Sequence, residues 1–217
     1  MCFSATASFT VAAATAAVGF AAVRQVRHRP ELFLAVVPLL FAAQQATEGL
    51  LWLQLSGDGD SGTVAALSFA YLLFANILWP AYTAVAVLLI EPDPRRRRIF
   101  SAIAVIGSAL SIYLLAGLIG DPVSAGIRNH SIGYSGEPNP LSWQQIPYLV
   151  CVCAPLLLSS HRIIQVFGAV VLAGFLVSAY AYAVTFVSVW CFFAAANSTL
   201  IYFYFRHAAM GFRFHHR

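Results

Sequence analysis

Polar side chains that can do chemistry lie inside an apolar segment at positions 41–55. The segment reads FAAQQATEGLLWLQL and contains one carboxylate, Glu48, and two amides, Gln44 and Gln45. A carboxylate buried in an apolar setting can act as a general acid or base, carry a proton or bind a cation. Wound as a helix, the segment places these three side chains and Trp52 within about 100° of one another. The sequence therefore predicts a helix with one polar stripe.

The polar stripe is predicted to face the interior of a helix bundle. An ionisable group in hydrocarbon costs at least about 2.5–3.5 kcal/mol, so Glu48 is expected to turn inward. There it is either protonated, because desolvation disfavours the charged form, or balanced by a bound cation, a proton relay or a metal. A simpler alternative is hydrogen bonding between helices, worth about 0.6 kcal/mol per contact. That alternative suits the amides better than the carboxylate.

Further polar and aromatic residues are expected at a similar depth or nearer the midplane. Two asparagines would form the floor of a pocket in the outer half of the bundle, and tryptophans would form its walls. Pro38 is expected to kink the helix that carries Glu48 and to free a backbone carbonyl. The predicted ligand-binding residues are Gln44, Gln45, Glu48, Trp52, Asn76, Trp79, Tyr113, Trp190, Asn197 and Ser198.

Two cysteines are candidates for chemistry beside Glu48. Removal of Met1 would leave Cys2 at the N-terminus, with an amine and a thiol on adjacent atoms that suit a nucleophile or a chelate. A disulfide with Cys191 and an inert small side chain are the alternatives. The catalytic and metal-binding candidates are therefore Cys2, Glu48 and Cys191. No intramembrane histidine accompanies them, which argues against a zinc hydrolase of the multi-histidine type.

Composition places this chemistry in a membrane. The chain has 217 residues, of which 60% are hydrophobic and only 9% charged, whereas soluble domains carry about 25% charged residues. The chain contains no lysine, so a retinal Schiff base is excluded, and any other cofactor stays open. The run RRRR at 95–98 is interpreted as a topology anchor and not as a nucleic-acid or anionic-lipid site. The lipid bilayer and a small-molecule or ion ligand are the expected partners.

The predicted fold is an all-α, polytopic bundle of seven transmembrane helices, with the last two spans separated near Tyr180–Val184. A six-span alternative would need one helix of more than 40 residues, about 60 Å long. The loop 120–142 is rich in turn residues and is predicted to lie outside, where it could cover the bundle as a lid. Residues 206–217 form a basic tail. The predicted spans are 4–23, 32–55, 64–90, 99–119, 143–160, 163–182 and 184–205.

The arginines predict the orientation. Eleven of the twelve fall in the first, third and fifth loops and in the C-terminal tail. Because basic residues accumulate on the cytoplasmic side, the N-terminus is predicted outside and the C-terminus in the cytoplasm.

Four motifs carry a resemblance that runs over the whole chain: MCFSATASF (1–9), FAAQQATEGLLW (41–52), FANILWP (74–80) and SVWCFFAA (188–195). They resemble a family of uncharacterised bacterial multi-pass membrane proteins, and the MCFSA start is the most specific element. This resemblance implies a protein of the bacterial inner membrane and supplies no activity.

The span count and the motifs FAN (74–76) and AAN (195–197) are also reminiscent of the sugar-transporting SWEET architecture, in which a three-helix unit occurs twice around a linker helix. Pro38 has no counterpart in 163–182, so this likeness is an analogy.

Three functions remain open, in this order of preference. The first is small-molecule or ion transport, or ligand binding, at Glu48, with alternating access and optional proton coupling. The second is a membrane-embedded enzyme that faces the periplasm and uses Cys2 or Cys191 with Glu48. The third is a structural or sensory protein without a ligand. The substrate and the oligomeric state are not predicted.

Overall fold

A computed structural model describes residues 4–57, 59–135 and 139–214, with the backbone alone at 144 and 208–214. The protein is mostly helical, at 81%. The described chain has six helices long and apolar enough to cross a membrane, which indicates a membrane protein. These helices are Ala5–Val23, Arg29–Ser56, Ser61–Ile90, Pro94–Gly120, Arg162–Ala181 and Ala183–His207.

Local breaks divide these helices into shorter elements. We number the α-helices α1 (Ala5–Val23), α2 (Leu32–Ala35), α3 (Val37–Ser56), α4 (Ser61–Leu72), α5 (Trp79–Ile90), α6 (Pro94–Gly120), α7 (Ile146–Leu157), α8 (Arg162–Ala181), α9 (Phe186–Asn197) and α10 (Thr199–Phe214), and the strands β1 (Ala125–Arg128) and β2 (Ser131–Tyr134). Short 3₁₀ turns cover Arg29–Glu31, Trp143–Gln145 and Ala183–Thr185, and a π-helical turn covers Leu73–Leu78.

Six of the predicted spans coincide with long helices, and the fifth differs. The region predicted as 143–160 forms α7, which has only 12 residues and is about 18 Å long at 1.5 Å per residue. The hydrocarbon core of a bilayer is about 30 Å thick. Pro155 lies within α7 and the helix stops at Leu157, so hydropathy over 143–160 overstated the length of this helix.

The predicted separation of the last two spans is confirmed. Helix α8 ends at Ala181, and a 3₁₀ turn leads into α9. A second, unpredicted break lies at Ser198, between α9 and α10. The Ser198 hydroxyl donates to the carbonyl of Ala195 at 2.6 Å, a local bond that competes with the regular helical ladder.

Proline accounts for two of the helix breaks. Pro38 lies in the first turn of α3, directly after the break at Val36, and the hydroxyl of Tyr82 donates to the nearby Phe33 carbonyl at 2.8 Å. Pro80 lies in the first turn of α5, behind the π-helical turn. Because proline has no N–H, the preceding carbonyls need other donors.

Side chains from neighbouring helices bond to the π-helical turn. Ser111 of α6 donates to the carbonyl of Ile77 at 2.6 Å, and the hydroxyl of Tyr148 in α7 donates to the carbonyl of Ala75. These bonds hold the irregular turn in the middle of the third long helix.

Helices α1 and α3 pack closely because glycine removes side chains from their contact. A Cβ at Gly49 would lie 2.8 Å from the ring of Phe9, and one at Gly19 would lie 2.6 Å from Leu39. Such small residues let helix backbones approach in a membrane. The two contacts show that α1 and α3 run antiparallel, with the start of α1 level with Gly49 and Glu48.

The loop 120–142 contains a β-hairpin, where the sequence predicts only turns. Strands β1 and β2 pair antiparallel, and their connection places Asn129 and His130 at φ of 47° and 59°, typical of a tight hairpin turn. All four residues of β2 are buried, and Tyr134 stacks on Tyr71 of α4 with the ring centroids 4.9 Å apart. The hairpin is therefore part of the packed structure.

Candidate functional site

The polar stripe of α3 faces inward. Gln44, Gln45 and Glu48 are each 0% exposed, and Trp52 is 5% exposed. Residues three and four apart share one face of a helix, so the stripe is continuous over two turns. The remaining described residues of α3 include exposed leucines at 50 and 53 on the other face. The predicted inward orientation of this helix therefore holds in the structure.

A serine from α9 contacts the carboxylate. The hydroxyl of Ser188 donates to Oε1 of Glu48 at 2.5 Å, across 140 residues of sequence. Ser188 is itself 0% exposed. We call Gln44, Gln45, Glu48, Trp52 and Ser188 the Glu48 cluster.

The first amide of the cluster joins α3 to α5. The indole nitrogen Nε1 of Trp79 donates to Oε1 of Gln44 at 3.0 Å. The ring of Trp79 also stacks on Phe41, with centroids 4.1 Å apart. This pair fixes the amide orientation of Gln44, because its oxygen must face the indole.

Several polar atoms of the cluster have no hydrogen-bond partner among the described residues. They are Nε2 of Gln44, both amide atoms of Gln45 and the indole nitrogen of Trp52. A buried donor or acceptor left unsatisfied costs roughly 1–3 kcal/mol, and such groups in native proteins call for a physical explanation. Gln45 is the clearest case, since neither end of its amide has a partner in the part of the chain that the structure describes.

The cavity in the bundle lies apart from these polar groups. Its volume is about 40 Å³, and it is lined mainly by apolar side chains together with Trp79, Tyr148, Trp190 and Cys191. Gln44, Gln45 and Glu48 do not line it. The cavity and the polar cluster meet at Trp79, which lines the cavity and donates to Gln44 of the cluster.

Other predicted site residues bond elsewhere. The amide of Asn197 donates to the carbonyl of Phe193 in its own helix at 2.8 Å, and Ser198 also bonds its own helix. The indole of Trp190 donates to the carbonyl of Val171 in α8 at 3.0 Å. Asn76 lies half-buried in the π-helical turn.

Tyr113 is not brought to the cluster. Its side chain is 74% exposed, on a helix that buries only 22% of its most apolar stretch in the bundle. The predicted depth of Tyr113 along α6 did not specify the direction in which the side chain points.

The structure describes three of the four cysteines, and all three are buried. Cys2 lies outside the described residues. Cys191 is buried on α9, three residues after Ser188, and lines the apolar cavity. Cys151 and Cys153 are buried, as expected of small apolar side chains. Within the described part of the chain, no three His, Cys, Asp or Glu side chains form a group that could hold a metal ion.

Sequence reasoning missed a second buried acid, Glu91, which follows α5 at the arginine-rich end. It is 2% exposed. The backbone N–H of Ser160 donates to it at 2.9 Å, that of Asp93 at 3.2 Å and the hydroxyl of Ser159 at 3.4 Å. The hydroxyl of Ser160 donates as well. The only signal in the sequence is its position directly before Pro92, at a helix end.

The donors around Glu91 hold it in the charged form. Burial by itself raises the pKa of a carboxyl, but the hydrogen bonds from Ser160 and Asp93 and the nearby His161 outweigh that effect. The pKa of Glu91 is therefore below its ordinary value. The bonds join the α5–α6 loop to the α7–α8 loop, so Glu91 fastens two loops together.

The chain was compared with known families, curated proteins and solved structures. A family model described as "Family of unknown function (DUF6629)" matches residues 1–213. No curated protein and no solved structure matches the chain.

Proposed function

The chain belongs to DUF6629, a family of unknown function, and we propose that it transports or binds a small molecule or ion at the Glu48 cluster. One observation carries this proposal: fully buried amides on the stripe beside the carboxylate keep polar atoms without partners in the described structure. A ligand that reaches the cluster would supply those partners.

A purely structural role explains the cluster less well. A polar side chain kept for packing is expected to be paired, since each unsatisfied atom destabilises the fold. Gln45 is unpaired at both amide atoms within the described residues, and leucine would pack at that position without this cost. Unsatisfied polar groups that persist in a core favour a binding role.

The helix breaks supply bending points for alternating access. Pro38 follows the break between α2 and α3, the π-helical turn precedes Pro80, and Ser198 separates α9 from α10. Discontinuous helices form the ion and substrate sites of many transporters, and π-helical turns occur frequently at functional sites. Two of the three breaks interrupt the helices that carry Glu48 and Ser188.

We further propose seven membrane crossings, with the N-terminus outside and the C-terminus in the cytoplasm of a bacterial cell. The supports are the six long apolar helices, the shorter apolar helix α7 and the clustering of eleven of twelve arginines. Oligomeric state is no part of the proposal. The asparagine motifs reminiscent of sugar transporters receive less weight, because Asn197 bonds its own helix.

The test is ligand-dependent stability. The purified protein in lipid nanodiscs would be melted with glucose, sucrose, glycine, choline, sodium or potassium as probes. We expect at least one probe to raise the melting temperature of the wild type and not of Glu48→Gln; a probe at 100 times its Kd stabilises by about 2.7 kcal/mol. Glu91→Gln is the matched control and should keep the shift. Equal responses of wild type and Glu48→Gln to every probe would contradict the proposal.

A further inference from the structure

The proposed function leaves the bound species open, and the geometry of the cluster narrows it. We infer that the Glu48 cluster binds a proton, with Gln45 and Trp52 positioned to hold the carboxyl group in both of its protonation states. This inference rests on the proposed function and adds the chemical class of the ligand. It makes Glu48 the proton carrier and the other two positioning residues.

The close packing around Glu48 favours a proton over a larger ligand. Glu48 is 0% exposed and is not among the residues that line the mainly apolar cavity of about 40 Å³. Sugars, amino acids and metal ions need room for several ligating or contacting groups. A proton adds no volume to a packed cluster. It is therefore the ligand that Glu48 can accept without any opening beside the side chain.

The second argument is the chemistry of the atoms that lack partners. Nε2 of Gln45 and Nε1 of Trp52 are donors, which suit a carboxylate, and Oε1 of Gln45 is an acceptor, which suits the O–H of a carboxylic acid. Gln45 precedes Glu48 by three residues and Trp52 follows it by four, so all three share one helix face. Rotation of the Gln45 amide exchanges the donor for the acceptor.

The reaction needs no further reactant. A proton from water forms an O–H bond on one carboxylate oxygen of Glu48, and the reverse step returns it to water. Ser188 bonds Oε1 in the structure. The amide of Gln45, which has no partner among the described residues, can then turn its oxygen to the new O–H group. No bond to carbon changes and no electron is transferred.

Other titratable groups face this region from the packed elements. Helix α4 carries Tyr71, α5 carries Tyr82, α9 carries Cys191 and the hairpin carries Tyr134, whereas α1 has none in its described part. Arg128 and His130 lie on exposed parts of the hairpin. Helix α10 contacts α3 at the opposite, arginine-rich end and carries Tyr202, Tyr204, Arg206 and His207.

Infrared spectroscopy separates Glu48 from these groups, because only a protonated carboxyl gives the carboxylic C=O stretching band. Nanodisc samples would be titrated from about pH 4 to about pH 9, a range that spans the ordinary carboxyl and histidine pKa values. Other carboxyl groups of the chain also protonate near pH 4, so the band of Glu48 is taken from the difference between wild-type and variant spectra. We expect the wild type minus Glu48→Gln difference to contain a carboxylic band that changes with pH, and Glu91→Gln to retain that band. A wild type minus Glu48→Gln difference without such a band would overturn the inference.

Two variants test the positioning residues. Trp52→Phe removes an indole N–H that shares the helix face of Glu48 and is available to a carboxylate, so the carboxylic band should persist to a pH about one unit higher. Gln45→Leu removes the acceptor for the O–H group, so the band should move to higher frequency. If one of the two variants fails to fold, the other one tests the positioning role. A carboxylic band that keeps its frequency and its pH range in the variants would show that these residues do not position Glu48.

The outcomes separate this inference from the proposed function. If sodium, choline or another probe stabilises the wild type through Glu48 while no carboxyl band titrates, the ligand is not a proton and the binding site stands. If the wild type shows neither a probe-dependent shift nor a titrating band, both conclusions fail.

Discussion

Glu48 and Glu91, the two carboxylates buried in the described chain, are almost equally hidden but have different surroundings. Their exposed fractions are 0% and 2%. Glu91 receives two backbone N–H groups and two serine hydroxyls. Glu48 is bonded by Ser188 and has neighbouring amide and indole atoms without partners among the described residues. Burial alone therefore does not separate a structural acid from a functional one.

Position along the helix explains the difference. Glu91 follows the last residue of α5, where the α7–α8 loop brings free backbone N–H groups within reach. Glu48 lies in the middle of α3, where the backbone N–H groups are used by the helix itself. Only side chains can donate hydrogen bonds to a carboxylate there. A mid-helix carboxylate therefore keeps a hydrogen-bonding environment that a proton or ligand can change.

The comparison predicts the largest stability effect at Glu91. Glu91→Ala should destabilise the protein by about 3 kcal/mol or more, because several buried donors lose their charged acceptor at once. The measurement is the midpoint of unfolding in detergent. Glu31→Ala is the control, since Glu31 accepts two backbone N–H bonds at an exposed site and should cost about 1 kcal/mol. Equal losses in both variants would contradict the loop-fastening role.

Low pH should weaken the contribution of Glu91 to the stability of the protein. The pKa of Glu91 is lower in the folded protein than its ordinary value, so its contribution is complete above the ordinary glutamate pKa of about 4.3. The contribution disappears as the pH falls through the lower, folded value. We expect the wild type to lose more stability than Glu91→Gln on acidification below about pH 4. Parallel pH–stability curves would refute this expectation.

Replacing Glu48 should cost much less. Glu48→Leu puts an apolar side chain in place of a buried acid and removes the hydrogen bond from Ser188, so stability should fall by about 1 kcal/mol or less. The same variant should lose the titrating carboxyl band and any probe-dependent shift. Unfolding midpoints together with infrared titration check both statements. A loss as large as that of Glu91→Ala would make Glu48 a second structural acid.

The smallest effect is expected for a matched pair of glutamines. Gln45→Leu removes two amide atoms that have no partner within the described structure and should leave stability equal or raise it by about 1 kcal/mol. Gln165→Leu removes an amide that donates to the carbonyl of Ser159 at 2.8 Å beside the Glu91 loops, and should lower stability by about 1 kcal/mol. The free energies of unfolding of both variants would be measured by chemical denaturation. A larger loss of stability in Gln45→Leu than in Gln165→Leu would show that Gln45 is the better-paired side chain.

Much of the fold could be predicted because its signals are local. Hydropathy located six of the seven predicted spans as long helices, and helical periodicity predicted that Gln44, Gln45 and Glu48 share a buried face. Tyr113 shows the limit of that reasoning. Its depth follows from counting residues, but its 74% exposure follows from the rotation of α6 against its neighbours, which depends on contacts distant in sequence.

The sequence by itself determined the membrane class, the helical content and the inward stripe of α3, because apolar length and a 3.6-residue period act within one segment. Tertiary structure decided which buried acid is fully hydrogen-bonded, that α7 is shorter than a membrane span, and where the cavity lies. It brought Ser188 to Glu48, buried β2 and placed Trp79 and Trp190 on the wall of a mainly apolar cavity. These outcomes depend on the distance and the rotation at which the helices pack. Gly19 and Gly49 allow α1 and α3 to approach closely, but only because Leu39 and Phe9 lie opposite them in the folded protein.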